Sequence, residues 1–472
     1  MTNYTEKERL QISKLIELKW LSGDLKWKLK SHQIPLYNEI VNQTGLKHVV
    51  NCSRRFGKSY ILTLIALEFC LVNKNVHVRF AAPTQRQLKE IIKPILDKQI
   101  LDCPTNIRPV YKSQESLYYF PSTNSNLHIA GCEGGHMENL RGHESHLNII
   151  DEAGSIDDLE YLIKDILLPQ TLTTKGKMYI ASTPPPTPAH YFHTLALEAK
   201  VNNYYSIYTI DDNTSIDDYT KQEYTKESGG IESSTWKREY LCQFVVDEKL
   251  VIIPEWENDF VRKVDRNEYY KFYDCYSSID IGGRDKTAII FGFYDYKQAK
   301  FILEHELIFS GQETTTKLIS EQIKSIEDLH YPNKKIKRWA DNNAVIFLQD
   351  LSIEYGLHYN PTSKDLLQAM INELRIFIGA GRLIINPRCT ETIGCLETGI
   401  WDKTRTQFQR SGLYGHFDAL AALVYLVRNL DTTTNPIPPL YKIDLENTYN
   451  TDRLRQNDKY KQLTRMVKRN NF

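Results

Sequence analysis

The chain has 472 residues and a mass of 55.0 kDa, which is long for one domain and indicates about two or three. Lys plus Arg equals Asp plus Glu at 59 each, so the net charge neither favours nor excludes nucleic acid as a partner. The start of the chain is polar and no stretch reaches the roughly 18 apolar residues of a membrane span, which predicts an intracellular protein that is not secreted and has no membrane partner.

The eight cysteines include no Cys-x-x-Cys, so neither a disulfide framework nor a zinc ribbon is expected. His143 and His146 have the spacing of a metal-binding pair. Without a nearby cysteine or a third histidine, this pair does not predict a metal site.

Residues 1–30 carry a helical stripe of apolar side chains and predict an N-terminal helical arm. Gln33 follows, about 20 residues ahead of the glycine-lysine pair at 57 and 58. In many motor ATPases a glutamine in this place holds the adenine edge, because its amide both donates and accepts hydrogen bonds. The alternative is a plain surface amide.

A short apolar strand begins near His48, enters a loop and continues into a helix over residues 58–72. A P-loop needs a turn whose N–H groups face a phosphate, a lysine that reaches the β and γ oxygens, and a hydroxyl for Mg²⁺. Cys52 stands where the consensus has its first glycine, so the match is partial. The predicted phosphate-binding loop comprises Ser53, Arg54, Arg55, Phe56, Gly57, Lys58 and Ser59.

Further short apolar strands are predicted near residues 76–84, 126–130, 147–151 and 177–183, with helices between them. Strands of this kind predict a mainly parallel sheet that is covered on both faces. The sequence therefore predicts an α/β P-loop ATPase domain over residues 31–250.

Asp151 and Glu152 end the apolar strand at residues 147–151. At the carboxyl end of such a strand, Asp151 would hold the Mg²⁺ shared with Ser59, and Glu152 would orient and deprotonate the attacking water. An alternative is that the two acids only cap a helix.

Three arginines are candidates to neutralise charge in the transition state of phosphoryl transfer: Arg54, Arg55 and Arg141. For each of them the alternative is a surface salt bridge.

After a linker at residues 251–272 the pattern changes. Three consecutive strands with short connections predict an antiparallel meander, and alternating helices and strands follow it. This order is the ribonuclease H topology, so we predict a mixed-sheet nuclease domain over residues 273–430. The remainder, residues 431–472, is a turn-rich linker and a basic tail. The tail is either an arm that binds DNA or an acidic surface of another protein, or a solvated segment without a partner.

Three acids occupy the positions at which a two-metal nuclease needs carboxylates: Asp280 on the first strand of the meander, Asp341 at the end of the fourth strand, and Asp418 at the start of a helix. Two divalent ions there, about 4 Å apart, would activate water and stabilise the leaving oxygen. The secondary candidates are Asp285, Lys364 and His416, and His416 is equally well explained as a helix-entry residue.

This order of domains resembles the large terminase subunit of tailed bacteriophages over roughly residues 30–430. The loop at 53–59 is similar to that family's variant P-loop, which lacks the first glycine. The resemblance implies that Arg54 acts in cis on the γ-phosphate and that Arg141 supplies a finger to the neighbouring subunit. It also implies that residues 181–183 couple hydrolysis to movement.

The resemblance further implies ATP-driven translocation of double-stranded DNA into a procapsid, with two-metal cleavage of concatemeric DNA. The cofactors would be ATP and Mg²⁺ at the first site and two Mg²⁺ or Mn²⁺ ions at the second. The partners would be double-stranded DNA, a small terminase subunit, the portal protein of the procapsid and further copies in a homo-oligomeric ring. The location would be the host cell cytoplasm during virus assembly.

Two other functions fit the same residues. One is a helicase-nuclease of DNA repair, and the other is a non-catalytic, nucleotide-gated DNA-binding assembly protein whose acids are structural.

Overall fold

Two sheets organise the chain in the computed structural model, which describes residues 5–437 apart from 143, 269–271, 283–285, 311–314, 342, 363–365, 403 and 412. The chain divides into two compact units. The first comprises Met1–Ile252 and Thr398–His416, and the second comprises Ile253–Glu397 and Phe417–Phe472. Residues 398–416, which the sequence assigned to the second domain, are held in the first unit by backbone hydrogen bonds from Ile252 to Gly399 and from Trp401 to Leu250.

The first unit contains an eight-stranded sheet in the order β3-β4-β5-β2-β6-β7-β1-β8. Its strands are β1 (Lys47–Cys52), β2 (His77–Ala82), β3 (Val110–Lys112), β4 (Leu117–Phe120), β5 (Ser125–Gly131), β6 (Leu147–Asp151), β7 (Lys177–Ser182) and β8 (Tyr205–Tyr208). All neighbours from β5 to β8 are parallel, whereas β3 and β4 add an antiparallel edge. The predicted mainly parallel sheet is therefore confirmed, and the sequence missed β3, β4 and β8.

Ten α-helices surround this sheet within the described residues. They are α1 (Glu6–Ser22), α2 (Ile34–Asn42), α3 (Lys58–Val72), α4 (Gln85–Gln87), α5 (Lys93–Gln99), α6 (Leu159–Tyr161), α7 (Leu168–Gln170), α8 (Tyr191–Val201), α9 (Asp218–Glu227) and α10 (Ser234–Glu239). π-helical turns at Leu88–Ile92 and Leu162–Leu167 join α4 to α5 and α6 to α7.

Adjacent residues of the central strands point into two different cores. Val50 and Ile149 pack in one cluster with α3, whereas Val49 and Ile150 pack in the other with α8. Since side chains alternate along a strand, apolar residues at both positions require helices on both faces of the sheet. The strands of the first unit are apolar at both positions for this reason.

The second unit contains a six-stranded mixed sheet in the order β13-β12-β9-β10-β11-β14. Its strands are β9 (Asp274–Asp280), β10 (Thr287–Asp295), β11 (Lys300–Phe309), β12 (Ile336–Ala340), β13 (Asn360–Pro361) and β14 (Leu383–Ile385). The three strands β9, β10 and β11 are antiparallel neighbours, while β12, β13 and β14 join in parallel. The predicted meander is confirmed, and β14 was missed.

The helices of this second unit are α11 (Thr316–His330), α12 (Val345–Ile353), α13 (Leu367–Gly379), α14 (Thr390–Thr398) and α15 (Asp418–Arg428). Apolar residues of α11 and α12 join the core on one side of β9 and β10. Helix α15 packs on β9 and β10 and against α13. This packing brings the start of α15 to the strand that ends at Asp280.

Candidate functional site

The turn between β1 and α3 is shaped by contacts from other segments. Gly57 has a φ of 98°, and a Cβ there would lie 2.1 Å from Nε2 of Gln33. The same Gln33 nitrogen donates a 3.1 Å hydrogen bond to the carbonyl of Phe56, and Asn213 donates one of 3.2 Å to the carbonyl of Arg55. Both the backbone angle and the space available at position 57 therefore require glycine.

Four predicted residues of the phosphate site form two close pairs. Nζ of Lys58 lies 2.6 Å from Oε1 of Glu152, and Oγ of Ser59 donates a 2.5 Å hydrogen bond to Oδ2 of Asp151. The two acids end β6, whose neighbour β7 places Ala181 beside Asp151. The loop after β1 and the carboxyl end of β6 thus meet at one edge of the sheet, as the motif spacing predicts.

Burial and neighbouring charges set the ionisation of this group. Burial and the charge of Glu152 raise the pKa of Asp151 to about 6, although Lys58 and the Ser59 hydroxyl act in the opposite direction. For Lys58, burial lowers the pKa, but Glu152 and Asp151 outweigh it and the net shift is upward. Lys58 therefore carries its charge, and the site holds a buried cation between two acids.

The alternative that Asp151 and Glu152 only cap a helix finds no support. Glu152 precedes the short 3-10 helix Ala153–Ser155, but its side chain makes no capping hydrogen bond. Its φ is 52°, and its N–H donates a 3.0 Å hydrogen bond to Oδ1 of Asp151. This left-handed backbone turns the Glu152 carboxylate toward Lys58.

A cavity of about 730 Å³ opens beside these pairs, within the size range of small-molecule sites. Its wall includes the predicted residues Ser53, Arg54, Arg55, Gly57, Lys58, Ser59 and Glu152. Thr183 also borders the cavity, and Oγ of the preceding Ser182 accepts a 2.8 Å hydrogen bond from the N–H of Gly154. The segment at 181–183 thus contacts the turn that carries Glu152.

Several predicted site residues lie outside the cavity wall. The Gln33 amide is buried and bonds Phe56 and the Lys30 N–H, the Phe56 ring is buried in the core, and Asp151 lies beneath Ser59. Arg141 is half-exposed and donates to Glu138 at 2.7 Å and to the Tyr161 hydroxyl at 2.9 Å.

The second predicted site lies at one end of β9 and β12. These strands are parallel and pair Ile279 with Ala340, so Asp280 and Asp341 follow at adjacent positions. Asp418 opens α15 and is 5% exposed. Phe417 has a φ of 60°, a left-handed turn that starts the helix over β9.

Tyr425, on α15, is within the electrostatic range of all three acids. Burial raises the pKa of its hydroxyl, and the charges of Asp280, Asp341 and Asp418 all raise it further. Within the part of the chain that the structure describes, no group of three or more His, Cys, Asp or Glu side chains is close enough to hold a metal ion. The donors are nevertheless the carboxylates that Mg²⁺ and Mn²⁺ prefer.

The secondary candidates have different positions. Asp285, Lys364, His143 and the basic tail lie outside the described residues. His416 belongs to the first unit, near Asp157, whose pKa is raised by burial. His146, the second member of the H-x-x-H pair, accepts a 3.2 Å hydrogen bond from the backbone of His77.

Comparison with protein families identifies the first of these domains. Residues 49–259 match the family described as the N-terminal region of the terminase large subunit, T4-like virus type. Residues 49–259 are thus similar to the N-terminal region of a terminase large subunit. Comparison of the chain with curated protein sequences gives no significant match.

Solved structures of phage large terminases resemble this chain in fold. The large terminase of bacteriophage HK97 aligns over 85% of this chain and 95% of its own, with 14% identity and a TM-score of 0.51. That of the thermophilic bacteriophage D6E aligns over 85% and 98%, with 16% identity and a TM-score of 0.41. At 14% identity the likeness to the HK97 structure shows the fold alone, an α/β arrangement in which a mainly parallel sheet is followed by a mixed sheet.

Three charged residues of the cavity beside Lys58 were missed from the sequence: Arg238, Glu239 and Asp247. The first two end α10 and were predicted only as part of a helical segment. They carry no motif and lie about 180 residues beyond the loop, so only the folded chain shows their place. Among the described residues, no helix has the length and apolar character needed to cross a membrane.

Proposed function

We propose that this protein is a large terminase subunit, that it hydrolyses ATP to translocate double-stranded DNA into a procapsid, and that it cleaves concatemeric DNA with two divalent ions. The observation that carries the ATPase proposal is the meeting of Lys58, Ser59, Asp151 and Glu152 beside one cavity. A cation, a hydroxyl and two acids at a loop followed by a helix are the groups that phosphoryl transfer needs.

The site fits Mg²⁺-ATP because its donors are a hydroxyl and a carboxylate 2.5 Å apart. Ser59 and Asp151 would hold the ion, which supplies charge neutralisation at the β and γ oxygens when bound. Lys58 would bind the same phosphates, and its pairing with Glu152 shows that the acid reaches the position of the phosphate-binding cation. Glu152, once exchanged for phosphate at Lys58, would then orient and deprotonate the attacking water.

Two arginines would act on the developing charge. Arg54 borders the cavity and would contact the γ-phosphate of its own subunit. Arg141 lies outside the cavity wall on an exposed surface, which supports a role toward a neighbouring subunit in a homo-oligomeric ring. A positioned arginine contributes about 10³- to 10⁵-fold in rate in phosphoryl transfer.

The nuclease proposal is supported by the adjacent positions of Asp280 and Asp341 at the ends of two paired strands, and by Asp418 at the start of the helix that packs on them. Carboxylates so placed suit two Mg²⁺ or Mn²⁺ ions, which activate water and stabilise the leaving oxygen when bound. The acids would orient that water and the scissile phosphate. The proposed partners are double-stranded DNA, a small terminase subunit and the portal protein, in the host cell cytoplasm during virus assembly.

The test measures two activities side by side on the wild type, Glu152→Gln and Asp280→Ala. We expect Glu152→Gln to abolish DNA-stimulated phosphate release and to retain plasmid cleavage in Mn²⁺ or Mg²⁺. We expect Asp280→Ala to do the reverse. Asp328→Asn, on the exposed side of α11, is the matched control and should change neither activity.

The results also separate the alternatives. Plasmid digestion that survives in Asp280→Ala would show that the metal site is wrong. Strand separation of a tailed duplex, labelled on one strand, would favour a helicase-nuclease, because a packaging motor moves on intact duplex. Absence of both activities from the wild type would favour a non-catalytic DNA-binding assembly protein.

A further inference from the structure

Four charged side chains form a continuous ionic chain along the wall of the cavity: Arg54, Glu239, Arg238 and Asp247. Nε of Arg54 is paired with Oε2 of Glu239. The other oxygen of Glu239 lies 3.1 Å from Nη2 of Arg238, and Nη1 of Arg238 lies 2.8 Å from Oδ2 of Asp247. None of these contacts is used by the proposed hydrolysis itself.

The two ends of this ionic chain differ in their freedom. The side chains of Glu239, Arg238 and Asp247 are 11–14% exposed, whereas that of Arg54 is 66% exposed. Glu239 is also fixed through its backbone, because its carbonyl accepts a 3.0 Å hydrogen bond from the N–H of Arg54. Glu239 is therefore a fixed acceptor, and the exposed guanidinium of Arg54 is the part that can move.

The far end of the ionic chain is tied to the turn after β7. The N–H of Asp247 donates a 2.9 Å hydrogen bond to the carbonyl of Pro186, and Oδ1 of Asp247 accepts one of 3.1 Å from the N–H of Lys249. Pro186 and Thr183 border the cavity. The ionic chain thus connects the phosphate-binding loop to the segment that also contacts the turn of Glu152.

We propose that Glu239 is a positioning residue for Arg54, which it holds at the edge of the cavity in competition with a γ-phosphate. This inference rests on the proposed ATPase function. A nucleoside triphosphate would have to take Arg54 from Glu239, whereas a diphosphate, which lacks the γ-phosphate, would leave the pair intact. Glu239 therefore sets how strongly the site prefers ATP over ADP.

Arg238 lowers the free-energy penalty of separating Arg54 from Glu239. A buried acid that loses its only cation carries a large penalty, because the remaining charge is uncompensated. Glu239 keeps Arg238 at 3.1 Å when Arg54 leaves, and Arg238 is itself anchored by Asp247. Arg54 can therefore leave Glu239 for a phosphate without leaving the Glu239 carboxylate unpaired.

The test compares the affinities of the full chain for ATPγS and ADP, with Mg²⁺, by titration calorimetry. Glu239→Gln should bind ATPγS about 1.4- to fivefold more tightly than the wild type, the range that corresponds to about 0.2–1 kcal/mol for an ion pair with one exposed partner, and should bind ADP equally well. Glu239→Asp keeps the charge and should return the ratio of the two affinities toward the wild-type value. Glu232→Gln removes an exposed acid that pairs with Lys237 beside the same helix, and should change neither affinity.

A second measurement separates positioning from structure. In an Arg54→Ala background, Glu239→Gln should no longer change the affinity for ATPγS, because the arginine through which it acts is absent. The Arg54→Ala protein also provides a test if Glu239→Gln alone is too unstable to titrate. By itself it should have a lower affinity for ATPγS and an unchanged affinity for ADP.

Three outcomes would overturn the inference. Equal shifts for ATPγS and ADP in Glu239→Gln would show a structural role, and so would an undiminished effect of that substitution in Arg54→Ala. Weaker binding of ATPγS by Glu239→Gln would show that the acid supports triphosphate binding instead of competing with it. A wild-type chain that binds neither nucleotide would overturn the proposed ATPase as well, which distinguishes the two failures.

Discussion

Lys58 and Glu152 form an ion pair of 2.6 Å at the base of the cavity, with the lysine side chain 7% exposed and the glutamate 32% exposed. Asp151 lies next to them and is almost fully buried. One buried cation therefore compensates two acids. The same lysine that would bind phosphate also stabilises the folded site.

Lys58→Met should consequently lose both function and stability. We expect no measurable ATP hydrolysis, because the cation that binds the β- and γ-phosphates is gone. We also expect the free energy of unfolding to fall by about 1–3 kcal/mol. This is less than the loss expected from breaking a fully buried ion pair, because Glu152 is partly exposed. The measurements are phosphate release and the urea midpoint at pH 7.5.

The double variant Lys58→Met with Glu152→Gln is the control for the stability effect. Removing one acid relieves the uncompensated charge, so part of the lost stability should return while hydrolysis stays absent. If the double variant is no more stable than Lys58→Met, the pair does not stabilise the fold.

Much of this first site follows from the sequence, because it depends on local order along the chain. A glycine, a lysine and a serine after one strand, and two acids after another, are brought together by the general rule that parallel strands end at one edge. The helix predicted over 58–72 is found at Lys58–Val72. The meander in the second half could be predicted for a similar reason, since consecutive strands pair through short connections.

The parts that could not be predicted depend on contacts between distant segments. Glu239 pairs with Arg54 across about 185 residues, and nothing near Glu239 in the sequence marks it. Strand β8 was missed because it comprises only four residues, Tyr205–Tyr208, between two polar turns. Its position beside β1 is determined by tertiary packing and by no local pattern.

Gly154→Ala should disturb the contact between the Glu152 turn and the segment at 181–183. A Cβ at position 154 would lie 2.8 Å from Oγ of Ser182 and 2.8 Å from the carbonyl oxygen of Thr183. Because one of these atoms belongs to the backbone, the turn must move, and we expect a loss of about 1–3 kcal/mol in stability with reduced ATP hydrolysis. Thermal unfolding and phosphate release measure the two effects.

Gly45→Ala is the matched control for that substitution. The nearest atom to its added Cβ is the end of the flexible Gln43 side chain, at 3.1 Å, which can move aside. Its unfolding temperature and its hydrolysis rate should stay close to those of the wild type. A Gly154→Ala protein that matches the control in both respects would contradict the prediction.

His190 should make the first unit less stable in acid. It caps α8, where its ring accepts a 3.1 Å hydrogen bond from the N–H of Phe192 and contacts the carbonyl of Ile156 at 3.1 Å. Burial lowers the pKa of His190 to about 4. As pH falls from about 6.5 to about 4, His190 becomes protonated in the unfolded chain and stays neutral in the folded chain. The free energy of unfolding therefore falls by up to about 2–3 kcal/mol.

His190→Asn tests this pH dependence, because asparagine can cap a helix and does not titrate. Urea midpoints at pH 7 and pH 4.5 should decline less in His190→Asn than in the wild type. Parallel declines in the two proteins would assign the acid sensitivity to other groups.

Arg141→Ala should affect neighbouring subunits more than its own cavity. Its guanidinium is held by Glu138 and Tyr161 outside the cavity wall, so nucleotide affinity should be unchanged. In a ring that uses Arg141 in trans and hydrolyses ATP in turn around the ring, each variant subunit disables its neighbour's site and so halts the cycle. ATPase activity of mixtures with wild type should therefore fall more steeply than the fraction of wild type, and a strictly linear titration would exclude this coordinated trans role.

Tyr425 offers a separate test of the nuclease site, because the charges of Asp280, Asp341 and Asp418 all raise the pKa of its hydroxyl. Asp341→Asn should lower plasmid cleavage by about 10²-fold or more, since it removes a charged ligand of the proposed ions. Tyr425→Phe keeps all three acids and removes only the buried hydroxyl, so its cleavage should change far less and should require a similar Mn²⁺ concentration. Cleavage measured against Mn²⁺ concentration compares the two variants. If Tyr425→Phe were as inactive as Asp341→Asn, the hydroxyl would take part in the reaction and the three acids alone would not account for it.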